Sequence, residues 1–184
     1  MKTELYISVD VESDGPIPGT GDYSMLSFGA CVVGYPTVSF YRELKPISDK
    51  FNPEALAVCG LDRDFLIKNG ADPKTAMQEF ANWLDSVCGK KDRPVFVGFN
   101  ATYDWMFIHW YFTHFLGKNP FGISGWDIKA YYAGLKRVRC WAHTSKRRMD
   151  KSFLSNQRHT HNALDDAREQ AEIFLKLRQF AGSP

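Results

Sequence analysis

No run of apolar residues in this chain approaches the roughly 18 that a membrane span needs, so no membrane-embedded segment is expected. The opening residues, Met1-Lys2-Thr3-Glu4-Leu5, lead straight into a strand-like stretch and hold no apolar signal-peptide core. Cysteine is sparse and scattered. Cys31, Cys59, Cys88 and Cys140 form no Cys-x-x-Cys pair, which argues against a zinc site or a disulfide framework and for a reducing, cytoplasmic setting. Excess charge of either sign is also lacking. A formal net charge of +2 over 184 residues excludes a polycation, so any pull on nucleic acid must come from a local patch. Internal repeats, low-complexity tracts and linkers are absent too. The expectation is a single domain over 1–184, and 44% hydrophobic residues suffice for a packed core.

What is present begins with Tyr6-Ile7-Ser8-Val9-Asp10-Val11-Glu12-Ser13-Asp14-Gly15. It reads as a strand ending in acids. Side chains alternate faces along a strand, so Asp10 and Glu12 point one way with Tyr6 and Ser8, and Ile7, Val9 and Val11 the other. Two adjacent carboxylates at the end of a buried strand repel, and a hard divalent cation relieves that cost. Alone, an Asp-x-Glu is a weak signal and reads first as a strand running into an acidic loop.

Downstream, Pro16, Pro18, Gly19 and Gly21 mark a loop. Met25 to Gly34 and Thr37 to Lys45 read as two further strands, so the first three strands form an antiparallel meander. Asn52-Pro53 caps a short helix that ends at Gly60, and Asp72-Pro73 repeats the signal before a helix reaching Gly89. Pro94 to Gly98 is a short buried strand. A helix follows from Asn100, as cap, to Leu116. Ser124 to Ile128 is a short strand leading into a helix around Ala130 to Leu135, and a last helix covers Ala163 to Phe180. This order predicts an α/β fold with a mixed sheet flanked by helices.

Two later segments bring more acids to element ends. Phe99-Asn100-Ala101-Thr102-Tyr103-Asp104 places Asp104 just past a strand, where open α/β sheets bind ligands. By itself that acid reads as a solvated residue near a helix N-terminus. His161-Asn162-Ala163-Leu164-Asp165-Asp166 opens the last helix. Asp166 shares a strip with Ile173 and Leu177 and so lies on the buried face, whereas Asp165 faces solvent. Asp10, Glu12 and Asp166 suit two divalent cations, Mg²⁺ or Mn²⁺, with Asp104 contributing directly or through water. Two such ions about 3.5–4 Å apart stabilise the attacking and leaving oxygens of a phosphoryl displacement. His161, with an ordinary pKa of about 6.5, suits removal of a proton from the attacking water.

These residues resemble the DEDDh branch of the DnaQ-like 3′–5′ exonucleases. The motifs are Asp10-Val11-Glu12-Ser13, then Phe99 to Asp104, then His161 to Asp166, in family order. Met25 to Ala30 is similar to the family's second strand and Pro53 to Leu61 to its first helix. The resemblance runs from about Leu5 to Leu177. It implies a ribonuclease H-like fold and two-metal release of nucleoside 5′-monophosphates from the 3′ end of single-stranded RNA or DNA. It assigns Asp10, Glu12 and Asp166 as ligands, Asp104 to the second metal, and His161 as general base. Phe99 and Cys59 stand where many relatives have histidine, a departure that bears on substrate rather than on chemistry.

By the same resemblance, Val11 and Ser13 are expected to border the terminal nucleotide, and Asn100 is a further expected substrate contact. Met25 and Leu26 are either a wedge against terminal bases or core. Between Lys136 and Arg158 lie eight Lys or Arg residues opposed only by Asp150; Arg147, Arg148 and Arg158 are the expected phosphate contacts. Trp141 and His143 add stacking surface, with a core position for Trp141 equally open. The protein works alone, as a homodimer or in a complex with other nucleic-acid enzymes. Two rival functions stay open: a non-catalytic nucleic-acid-binding module of the same fold, and a Mg²⁺-dependent phosphohydrolase acting on small nucleotides.

Overall fold

The computed structural model describes residues 3–89, 92–155 and 160–182. Its centre is a five-stranded sheet: β1 (Thr3–Ser13), β2 (Met25–Val32), β3 (Tyr35–Glu43), β4 (Asp92–Gly98) and β5 (Gly125–Asp127), in the order β3-β2-β1-β4-β5. β1 pairs antiparallel with β2, and β2 with β3. β4 runs parallel to β1, and β5 parallel to β4. The helices are α1 (Pro53–Cys59), α2 (Arg63–Asn69), α3 (Pro73–Val87), α4 (Thr102–Leu116), α5 (Ile128–Lys136) and α6 (Ala163–Phe180), with 3-10 turns at Trp141–Thr144 and Lys151–Phe153. This is the mixed α/β sheet with an antiparallel meander that the sequence predicts.

The alternation along β1 sorts the two layers. Ile7, Val9 and Val11 enter the larger core with Phe80 of α3 and Phe107, Tyr111 and Phe112 of α4. Tyr6 faces the other way, edge-on to Phe174 of α6 at 5.3 Å. Every residue of β2 is buried, because both of its faces are covered.

The cap signals hold where they were strongest. Asn52 Oδ1 accepts the Glu54 amide at 2.8 Å, and Asp72 Oδ2 accepts that of Thr75 at 2.9 Å. Asn100 is different. It sits in a left-handed turn (φ 65°), and its Oδ1 accepts from Lys129 Nζ at 3.1 Å instead of capping α4. Asp127 takes over there: Oδ2 accepts the Ala101 amide and Oδ1 the Ala130 amide, both at 2.6 Å. One carboxylate thereby ties the starts of α4 and α5 to the end of β5. Helix α2 was not expected, since its pattern is poor: Leu66 is buried while Phe65 and Ile67 are exposed. Asp62, accepting the Phe65 amide at 3.0 Å, starts it.

At Gly29, which pairs with Asp10 across β1 and β2, the first turn of α6 lies directly on the strand. A Cβ there would meet Leu164 Cα and N at 2.4 Å. Gly29→Ala should therefore lower stability by about 1–3 kcal/mol through overpacking. Gly21→Ala, whose methyl meets nothing within 4 Å, is the control. Paired thermal melts read the difference, and equal melting temperatures would refute close packing at Gly29.

Candidate active site

Four acids from three elements converge beyond the end of β4. Asp10 and Glu12 leave β1 on the α6 side of the sheet, opposite Gly29 and Ser27 of β2. β4 stops pairing with β1 at Ser8 and Val97, which leaves the next amides of β1 without a strand partner on that side. Asp104, buried on α4, fills the gap: its Oδ1 accepts the Val11 amide at 3.0 Å. Asp166 lies buried in the first turn of α6, where its Oδ1 accepts the Thr160 amide at 3.2 Å. Asn162 caps that turn through the amides of Leu164 and Asp165. Asp165 points outward and pairs loosely with Arg168 at 3.5 Å.

His161 is exposed and left-handed (φ 55°), and this turn brings its ring back toward the acids. Ligand atoms of Glu12, His161 and Asp166 all lie within 4.8 Å of one another. Oxygen-rich donors at this spacing fit a hard divalent cation.

The electrostatics have the same cause. Burial, then the carboxylates of Asp104, Glu12 and Asp166, push the Asp10 carboxyl well above its usual range. Burial and Asp166 raise Glu12 to about 7. Asp104 rises to about 8, mainly through burial, although the Val11 amide partly offsets this.

Two residues that the sequence reading passed over brace the cluster. Gln170, buried on α6, donates from Nε2 to Asp10 Oδ1 and accepts the Phe99 amide on Oε1 at 2.8 Å. It links α6, the end of β4 and the first acid. Arg63 of α2 pairs with the fully buried Asp14 at 3.1 Å. Asp14 Oδ1 accepts the Ser24 amide at 2.6 Å, so the loop after β1 is pinned. A glutamine four residues past Asp166 could have been placed on its helix face by spacing. Arg63 carried no such signal, because its helix was not recognised.

The expected substrate contacts separate into groups. Val11 is buried and its amide is taken by Asp104. The Ser13 hydroxyl lies 2.6 Å from Tyr103 Oη and donates to the Gly15 carbonyl at 2.9 Å, so it shapes the loop. Met25 and Leu26 are fully buried, which corrects the wedge reading: β2 is central and both side chains are consumed by packing. The Met25 amide is held by Tyr111 Oη at 2.8 Å. Arg147 and Arg148 are exposed beyond the Trp141–Thr144 turn. Arg158 lies outside the described residues.

The raised carboxyls predict a stability profile. A carboxyl whose folded pKa exceeds its unfolded value makes the folded state bind more protons between the two, so stability falls as pH rises through that window. Without divalent cation, the melting temperature should drop between about pH 4.5 and pH 8, by at least a few degrees, since about 1 kcal/mol is worth about 2–4 °C in a chain of this size. Added Mg²⁺ or Mn²⁺ should raise it most at the upper end. A flat profile that cations do not change would contradict the clustered, buried arrangement.

Comparison with known proteins agrees with this geometry. The exonuclease family model of the RNase T type matches residues 24–174. The chain is 47% identical over 171 residues to the 3′-5′ DNA exonuclease Cap18 of Escherichia coli, covering 93% of this chain and 90% of that protein. Its fold is shared with the nuclease domain of 3′hExo, described as a DEDDh family member bound to rAMP, at a TM-score of 0.71 and 15% identity, over 96% of this chain and 92% of that one. It is shared also with S. pombe Pop2p in a Mg²⁺- and Mn²⁺-bound form, at a TM-score of 0.71 and 15% identity, over 97% and 85%. On the family match and the close relative together, the chain belongs to the RNase T exonuclease family and is a 3′–5′ exonuclease.

Proposed function

We propose that this chain, as one exonuclease domain, shortens single-stranded DNA from its 3′ end and releases nucleoside 5′-monophosphates. The observation that carries the reading is the meeting of Glu12, His161 and Asp166 within 4.8 Å, with Asp10 coupled electrostatically to Glu12, Asp104 and Asp166. DNA is favoured over RNA because the 47% identical relative is named for DNA. Asp10, Glu12 and Asp166 would hold two divalent cations, Mg²⁺ or Mn²⁺, with Asp104 serving the second. When bound, the ions supply positive charge at the attacking and leaving oxygens of an in-line displacement.

The chain's own groups do the rest. His161, exposed at the rim, takes the proton of the attacking water on a ring nitrogen. Gln170 and the Val11 amide hold Asp10 and Asp104 in orientations set before the phosphate arrives. Exposed Arg147 and Arg148 are the phosphate contacts on the basic side. Arg158 is assigned the same role from sequence alone. All four cysteines are free thiols, which fits a cytoplasmic place of work. Among the described residues, no helix is long and apolar enough to cross a membrane.

Product analysis on 5′-labelled single strands of one sequence, as DNA and as RNA, tests the function. Mg²⁺, Mn²⁺ and chelator are compared beside Asp10→Ala. A ladder shortening from the 3′ end, absent in chelator and in the variant, is expected, with DNA consumed faster. Faster RNA decay would reverse the sugar assignment. An intact strand under every metal would return the binding-module and small-nucleotide readings.

Roles are separated by variants. Asp10→Ala and Asp166→Ala should abolish metal-dependent turnover in a folded protein. His161→Ala should lower turnover by about 10²–10⁴-fold with a much smaller effect on metal affinity. An unchanged rate for His161→Ala would remove it as the base.

A further inference from the structure

The turn at Phe99 and Asn100 closes β4 beside the acids, and two lysines meet there. Lys146 Nζ lies 5.1 Å from the centre of the Phe99 ring and pairs with the buried Glu169 carboxylate at 2.6 Å. Its charge also reaches Asp10, where it opposes the neighbouring carboxylates. Lys129 Nζ bonds Asn100 Oδ1 at 3.1 Å and lies 4.5 Å from the centre of the Trp141 ring.

Trp141 is 55% exposed and belongs to none of the hydrophobic clusters, so its core reading fails. The turn that carries it is nonetheless anchored: Thr144 is fully buried, and its hydroxyl donates to the Trp141 carbonyl at 2.7 Å. A single exposed aromatic is ordinary on a protein surface. What sets Trp141 apart is a lysine that ties it to the same turn that Gln170 links to Asp10.

We propose that Lys146, Lys129 and Trp141 form a subsite for the part of a single strand that stays attached after the cut, with the lysines on phosphates and the indole stacked on a base. This rests on the exonuclease reading above and extends it to how the strand is gripped. Removal of one terminal nucleotide leaves a single base on one side of the reacting phosphate and the whole remaining strand on the other. A basic, aromatic surface leading away from the acids matches the longer part. An ammonium has three donors, so Lys129 keeps capacity for a phosphate while bonded to Asn100. Stacking accepts any base but needs an open face, so the subsite selects unpaired strands without reading sequence.

The test compares a short oligothymidylate with the p-nitrophenyl ester of thymidine 5′-monophosphate, which has no retained strand. The quantity is the ratio of kcat/KM on the oligomer to that on the ester. Trp141→Ala should lower this ratio roughly tenfold, and Trp141→Phe should restore most of it. Lys129→Ala should flatten the dependence of log KM on log salt for the oligomer by about 0.7. Wild type should lose a similar factor on strands made abasic behind the terminal nucleotide, and Trp141→Ala should not respond to those lesions. The abasic comparison needs only wild-type protein, so it holds even if a variant folds poorly. Equal rates for wild type on intact and abasic strands, or an unchanged ratio in folded Trp141→Ala, would overturn the subsite and leave the exonuclease standing. Failure of wild type to cleave both oligomer and ester would instead overturn the reading beneath it.

Discussion

No side chain separates Gly29 from the first turn of α6. Because the helix rests on the backbone of β2, Asp166 comes down beside Asp10 and Glu12 on the neighbouring strand. A helix held off by even one methyl group would stand farther from the sheet. Gln170 and Asp166 leave the same helix one turn apart, so the same approach sets the hydrogen bond to Asp10. The site is thus an outcome of one close contact between a helix and a strand.

That closeness has an electrostatic consequence. Four carboxylates, two of them buried and two half-buried, share a small volume, so Asp10, Glu12 and Asp104 all hold protons more tightly than usual. The protein offsets only part of this strain, through the Val11 amide, the Gln170 amide and the charge of Lys146. A site that kept its acids fully satisfied would have little left to offer a cation. Local instability and function have a common origin here, as expected where charge is concentrated for chemistry.

Legibility in the sequence followed periodicity. The alternation of β1 separated acids from core, and the spacing of Asp166, Ile173 and Leu177 placed Asp166 inward, where it is found. The caps at Asn52 and Asp72 read correctly because a cap is a local interaction between neighbours in the chain. Asn100 read wrongly because its cap was displaced by Asp127, an acid from a different strand. Whether Met25 and Leu26 met substrate or core stayed open while the position of β2 within the sheet was unknown. Helix α2 was invisible because a short helix with one buried residue has no period to detect.

The sequence by itself determined the candidate residues: four acids and a histidine that stand at the ends of strands and helices. Those properties depend on residue type and on spacing within a few positions, which periodicity reports directly. Tertiary structure decided which side chains meet. It placed Glu12 and Asp166 next to His161, gave Asp10 to Gln170, sent Arg63 to the buried Asp14, and left Trp141 in the open beside Lys129. Each of these pairings except His161 with Asp166 joins residues far apart in the chain. Their distances are set by how layers pack against a twisted sheet, and no local pattern encodes that.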